Sequence, residues 1–212
     1  MLTLSAETGG SYGDGDDGSR LITPDLELHL ALTKRVQLAV EGGLTVTQVG
    51  SDQREVAGDP LWLSVTATLI SMENEETGAI FGAGVQVGPR LPSVGAADAL
   101  GGAALLLVGG GTRRLQVVAN VGGVVDRSQT AALLFGLDVQ LELGKAGDWE
   151  LLADVGGLYA IDGDPAQLLV AVGAGWEVTD ALELSLLVLG GPVFEGDRIG
   201  ALVGLRQDFG LW

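Results

Sequence analysis

Apolar and polar residues alternate one for one along most of the chain. In LELHLALTKRVQLAV, residues 26 to 40, Leu26, Leu28, Leu30 and Leu32 share one face, while Glu27, His29, Ala31 and Thr33 share the other. The next run sets Val36, Leu38, Val40, Leu44 and Val46 against Gln37, Glu41, Thr45 and Thr47. LLFGLDVQLEL repeats the pattern, with Leu133, Phe135, Leu137, Val139 and Leu141 opposed to Gly136, Asp138, Gln140 and Glu142. A period of two is the signature of a strand with one apolar face. Such runs predict about twelve strands, near residues 1–8, 25–33, 36–48, 60–72, 78–89, 99–110, 114–126, 130–143, 148–161, 166–178, 181–191 and 198–210.

The connections alternate between two kinds. TKR at 33, NEETG at 74, GTRR at 111, KAGD at 145 and VTDA at 178 are short turns. Between them lie GGSYGDGDDGSRLITP at 9, GSDQREVAGDP at 50, RLPSVGAADA at 90, DRSQ at 126, DGDPAQ at 162 and FEGDR at 194, several of them longer and mostly more acidic. Tight turns at one end and loops at the other are expected of an outer-membrane barrel, and each run is long enough to cross a bilayer when tilted. The sequence therefore predicts an all-β chain, with residues 1–212 forming one up-and-down antiparallel transmembrane β-barrel of about 12 strands. An apolar face in a soluble sheet would need a covering layer, and no amphipathic helix is evident; two packed sheets, a soluble acidic β-sandwich, are the rival fold.

The polar face separates the two. It is rich in glycine, at Gly82, Gly84, Gly122, Gly136, Gly156, Gly173, Gly175, Gly200 and Gly204, whereas a face in water normally carries charged residues and threonine. Lysine occurs only at Lys34 and Lys145, both in short turns, so the apolar faces are free of it, as lipid requires. Trp149, Trp176, Phe209 and Trp212 would form an aromatic girdle at the short-turn end, with Tyr159, Phe194 and Trp62 as a thinner belt at the other.

Composition narrows the function. Eleven Lys and Arg against 28 Asp and Glu give a net charge of −17, which disfavours nucleic acid and favours cations. No cysteine is present, so there is neither a disulfide framework nor a thiolate metal site. The opening MLTLSAETGG lacks the basic start and apolar run of a signal peptide; placement in a bacterial outer membrane predicts a leader already removed and a methionine added.

Candidate chemistry is sparse. No GxSxG occurs and His29 is the single histidine; beside Glu27, and across from Glu41, it reads as a histidine in a polar wall, not as a catalytic base. GDGDDGS at 13–19 has the oxygen-rich character of a calcium loop but misses the EF-hand spacing, and is expected to be a mobile solvated loop. GAGVQVG and VGAGWE lie inside strands, which argues against a nucleotide site. The sequence thus predicts no enzyme, metal or cofactor. The set carried forward is the inward acidic one, Glu27, Glu41, Asp138, Glu142, Glu150, Asp154, Glu177, Glu183 and Asp208, with His29 and Arg206, and Arg114 as a further candidate, on the same interior. Negative rings in a bore favour cations. The expected function is an outer-membrane channel or passive diffusion pore for small molecules, with a lumen either open or filled by its own polar side chains. A soluble acidic binding protein and a non-conducting barrel scaffold are the alternatives.

LHLALTKRVQLAVEGG, LQVVANVGGVVD, WEVTDALELSLLV and the closing GALVGLRQDF resemble a family of outer-membrane barrels assigned to transport in the meta pathway of phenol degradation. The elements that carry the resemblance are Thr33 to Arg35, Thr179 to Ala181, Asn120 with Gly122, and Phe209, over roughly residues 25 to 210. It implies a lipid-embedded barrel and small, aromatic or apolar solutes. Phe209 with Val203, Leu205 and Gln207 also resembles the terminal signal read by barrel-assembly machinery, here followed by Gly210, Leu211 and Trp212.

Overall fold

The computed structural model describes residues 3–15, 18–49, 53–58, 61–91, 100–125, 131–144, 148–161, 167–193 and 197–210. Its strands are β1 Thr3–Gly15, β2 Gly18–Thr33, β3 Val36–Val49, β4 Gln53–Gly58, β5 Trp62–Asn74, β6 Ala79–Arg90, β7 Gly101–Gly111, β8 Leu115–Val125, β9 Ala131–Leu143, β10 Trp149–Ala160, β11 Gln167–Thr179, β12 Leu182–Val193 and β13 Asp197–Gly210. All pairings are antiparallel, and strands adjacent in sequence pair with one another except β4 and β5, which both pair with β3. β1 then pairs with β13 from Thr3↔Gly210 to Gly15↔Asp197, and β2 pairs with β3, so the sheet closes on itself. β4 and β5 lie in line along β3, at Leu44–Val49 and Val36–Glu41 respectively, as one strand interrupted between Gly58 and Trp62. The result is a closed 12-strand up-and-down barrel. It is one sheet, not the two packed layers of a sandwich.

Two stretches expected to be loops are strand. Residues 9–15 and 18–24 prolong β1 and β2 as a hairpin up to Gly15↔Gly18, because β13 offers the β1 backbone a second ladder along the same length. A backbone paired on both sides stays extended whatever its own side chains prefer. Of the proposed calcium loop, Gly13–Gly15 and Gly18–Ser19 are therefore ladder residues, and Asp16 and Asp17 lie outside the described residues. Likewise Gln53–Gly58, within an expected loop, pairs with β3.

The faces are inverted relative to a soluble fold. The buried apolar residues among those described are five alanines, Leu105 and Val124. The large apolar side chains stand outside instead: Leu28, Val121, Leu133, Leu186 (56% exposed) and Val203 (57% exposed) belong to the outward set. Contiguous apolar surface on this scale is a lipid-facing band.

The short-turn end uses one device repeatedly. Thr33 Oγ1 accepts hydrogen bonds from the N–H groups of Arg35 (3.1 Å) and Val36 (3.0 Å), and Thr112 Oγ1 does the same for Arg114 (3.3 Å) and Leu115 (3.2 Å). Thr179 Oγ1 accepts from Ala181 N–H, and Asn74 Oδ1 from Glu76 and Thr77. A short side-chain acceptor that takes up the turn's free donors is what makes these reversals tight. Gly78 and Gly144, with φ of 66° and 80°, complete two of them.

Glycine on the inner face answers a packing constraint. A Cβ at Gly122 would strike the Ala104 carbonyl oxygen, whereas one at the neighbouring, outward Gly123 would meet nothing within 4 Å. Gly122→Ala is therefore expected to destabilise the barrel by about 1–3 kcal/mol, and Gly123→Ala to leave it unchanged. Urea titration of both variants in lipid vesicles checks the difference.

Candidate functional site

Directly opposed residues of an antiparallel pair point to the same side of the sheet. From Glu7 on β1, the register leads to Glu27 on β2 and Glu41 on β3 in one direction, and to Arg206 on β13, Glu183 on β12 and Glu177 on β11 in the other. Beyond Glu41 it continues to Trp62 on β5 and Arg90 on β6. One unbroken row of inward side chains thus runs over eight neighbouring strands, with five carboxylates flanking Arg206. On the far wall, Glu142 opposes Glu150 and Asp138 opposes Asp154 between β9 and β10. By the same parity His29 and Asp208 also turn inward. Arg114 lies exposed in the turn between β7 and β8, just beyond the strand, where its carbonyl accepts from Glu142 N–H.

Local contacts hold these groups. His29 Nε2 donates to the Glu27 carboxylate and Nδ1 accepts from the Gln37 amide. Ser5 sits directly across from His29, but with both ring nitrogens occupied none is free to take its proton. Gln140 donates to Glu150, which is buried, and Gly175 opposite makes room for it: a Cβ there would lie 2.7 Å from Glu150 Cγ. Gln86 Nε2 donates to Ser64 Oγ at 3.0 Å. Arg206 reaches Glu183 at 3.8 Å and Asp208 at 3.5 Å.

Cavities in this interior bring these groups together, and two of them are described by their lining. One of 370 Å³ is lined by Ser5, Glu7, His29, Gln37, Arg206 and Asp208. The other, of 330 Å³, is bounded by Asp138 and Asp154 on one wall and by Glu7, Glu183, Leu202 and Arg206 on the other. Glu7 and Arg206 line both. No group of three or more metal-ligating side chains is gathered among the described residues.

Three features escaped the sequence reading. Glu7 belongs to the acidic row, and the alternation Leu4, Ala6, Thr8 against Ser5, Glu7 carries the signal for it. Trp62, expected in the outer belt, faces inward with Ser64, Thr66 and Thr68, while Leu61 and Val65 face out; the parity of its own strand holds the information. On β7 to β11 the loop-end half of the wall is apolar, built of Ala103, Leu105, Val124, Ala132, Leu158 and Ala171. Outside, Trp149 and Trp176 are cross-strand partners whose rings stack at 5.6 Å with planes 9° apart; Phe209 is also outward and exposed. Trp212 and Phe194 lie outside the described residues.

No family model and no curated relative matches the sequence. Solved structures do. The KdgM porin in complex with disordered oligogalacturonate superposes with a TM-score of 0.61 at 11% identity, covering 98% of this chain and 99% of its own. The β domain of the Bordetella autotransporter BrkA gives 0.56 at 12% identity, covering 98% and 99%. At this identity the likeness concerns the fold, a closed antiparallel barrel of comparable length, and it is shared by a porin and an autotransporter.

Arg206 stands between carboxylates, so Arg206→Gln is expected to lower stability by about 1 kcal/mol, modest because the guanidinium is half exposed. Arg206→Lys should recover most of that loss, measured by urea titration in vesicles.

Proposed function

We propose that this chain is a passive pore of the bacterial outer membrane for small solutes, with a lumen that prefers cations. The observation that carries the reading is the acidic row from Glu41 to Glu177 on the inner face of a closed barrel whose outer face is apolar. An apolar band calls for a lipid bilayer as partner, and a chain of this architecture needs barrel-assembly machinery to enter one. Inside, carboxylates on both walls create a negative potential that concentrates cations and repels anions. Arg206 reduces that potential locally without cancelling it, since it faces Glu7, Glu183 and Asp208. The KdgM porin offers a parallel for a barrel of this length acting as a pore, and nothing of its solute is carried over.

A second reading, passage of small apolar or aromatic solutes, is favoured by the apolar half of the wall at the loop end and agrees with the resemblance to phenol-pathway barrels. Both readings share the pore and differ in its cargo.

In planar bilayers under a salt gradient, the wild-type chain is expected to show a reversal potential of cation-selective sign. The triple variant Glu41→Gln, Asp138→Asn, Glu142→Gln should move it towards zero. An unchanged reversal potential would sink the acidic-wall mechanism.

A further inference from the structure

Water access changes along the inner wall. On β8, Gln116 near the short turns is exposed and Val118 is 37% exposed, whereas Val124 at the loop end is 3% exposed. On β9, Gln140 and Asp138 are exposed and Ala132 is 5% exposed. Small residues on the wall of an open bore should be wetted throughout, so something covers them at one end. Among the described residues the coverings are Trp62 and Leu158, which pack against the cluster of Ala103, Val124 and Ala132 on β7, β8 and β9. Trp62 arises from β5 and reaches past β6 into this bay. Alanine at 103 and 132 is what leaves space for an indole.

The ring is fixed from a second side. The Arg90 guanidinium lies 5.4 Å from the Trp62 ring centroid, a cation–π contact between direct cross-strand partners. The indole Nε1 has no acceptor among the described residues, so packing and the Arg90 contact hold its orientation.

We propose that Trp62, seated in the Ala103–Val124–Ala132 bay and backed by Arg90, is the constriction of the lumen and the residue that sets the size of solute able to pass. A large rigid ring projecting into the bore limits the diameter of what passes, whatever its charge. The acidic rows then set the sign of the charge admitted and Trp62 the girth. Two elements of the same wall divide selectivity between them. The consequence for conduction rests on the pore reading; the occlusion itself does not.

The chain has no cysteine, so single thiols are clean reporters. Val124→Cys lies under the indole, and Gln116→Cys on the same face of β8 lies in the open half. Folded protein, verified by its gel mobility, is treated with a charged thiol reagent in the presence of Trp62 and in Trp62→Ala and Trp62→Leu backgrounds. Labelling at 124 is expected to be about tenfold faster with Trp62→Ala, as each 1.4 kcal/mol of opening cost removed is a factor of ten. Trp62→Leu should be intermediate, and labelling at 116 unchanged. Equal rates at 124 in all backgrounds would overturn the constriction. Single-channel conductance of Trp62→Ala should exceed that of wild type several-fold; equal conductance in the two would also overturn it, while leaving the pore standing. Faster labelling with no conductance in any form would keep the occlusion and overturn the pore.

Discussion

Closure of the ladder between β1 and β13 is the constraint on which the rest of the molecule depends. In hydrocarbon an unpaired N–H or C=O costs several kcal/mol, so a sheet survives there only if it has no edge. Pairing from Thr3↔Gly210 to Gly15↔Asp197 removes both edges at once. It also explains why the chain spends residues 9–15 and 18–24, poor strand formers by composition, on extended structure: they prolong the wall where β13 already supplies partners. The interruption between Gly58 and Trp62 is tolerable for a related reason, because β3 bridges it from one side along both β4 and β5.

Once the ring is closed, each strand has an inside and an outside, and the two solvents differ. Lipid takes the leucines and valines, together with the stacked Trp149 and Trp176. The interior has to be filled by what remains, and glycine decides how tightly. Gly122 lets neighbouring backbones approach, and Gly175 yields its place to Glu150. The wall that results is not uniform. Carboxylates, amides and Arg206 line the short-turn side of β9 to β13, β1 and β2, the polar row continues through Glu41 to Trp62 and Arg90, and alanine, valine and leucine line the loop-end side of β7 to β11.

Much of this was legible in the sequence because a barrel obeys one rule, the period of two, from end to end. The facing of Leu26 to Leu32 against Glu27 and His29, the inward glycines and the short turns all follow from it, and the Thr33, Thr112 and Thr179 turns show why a threonine opens such reversals. What the sequence withheld is the order of residues across strands. That Glu41, Glu27, Glu7, Arg206, Glu183 and Glu177 form one row depends on register, which turn lengths and bulges set jointly, including those at Thr68/Ile70 and Glu177/Thr179. Trp62 was misplaced because tryptophan near a strand end is weighted towards a membrane belt, and that prior overrode the parity of its own strand. The Gln53–Gly58 strand was missed because its residues carry a loop composition and are extended only by virtue of β3.

The central claim is that the leucine face meets lipid and the acidic face does not. Refolding from urea with and without detergent micelles, followed by gel electrophoresis of unboiled and boiled samples, tests it most directly. The account predicts folding in detergent alone, with a mobility that shifts on boiling. A soluble folded monomer in buffer without detergent would contradict it, because the leucine face would then be a core.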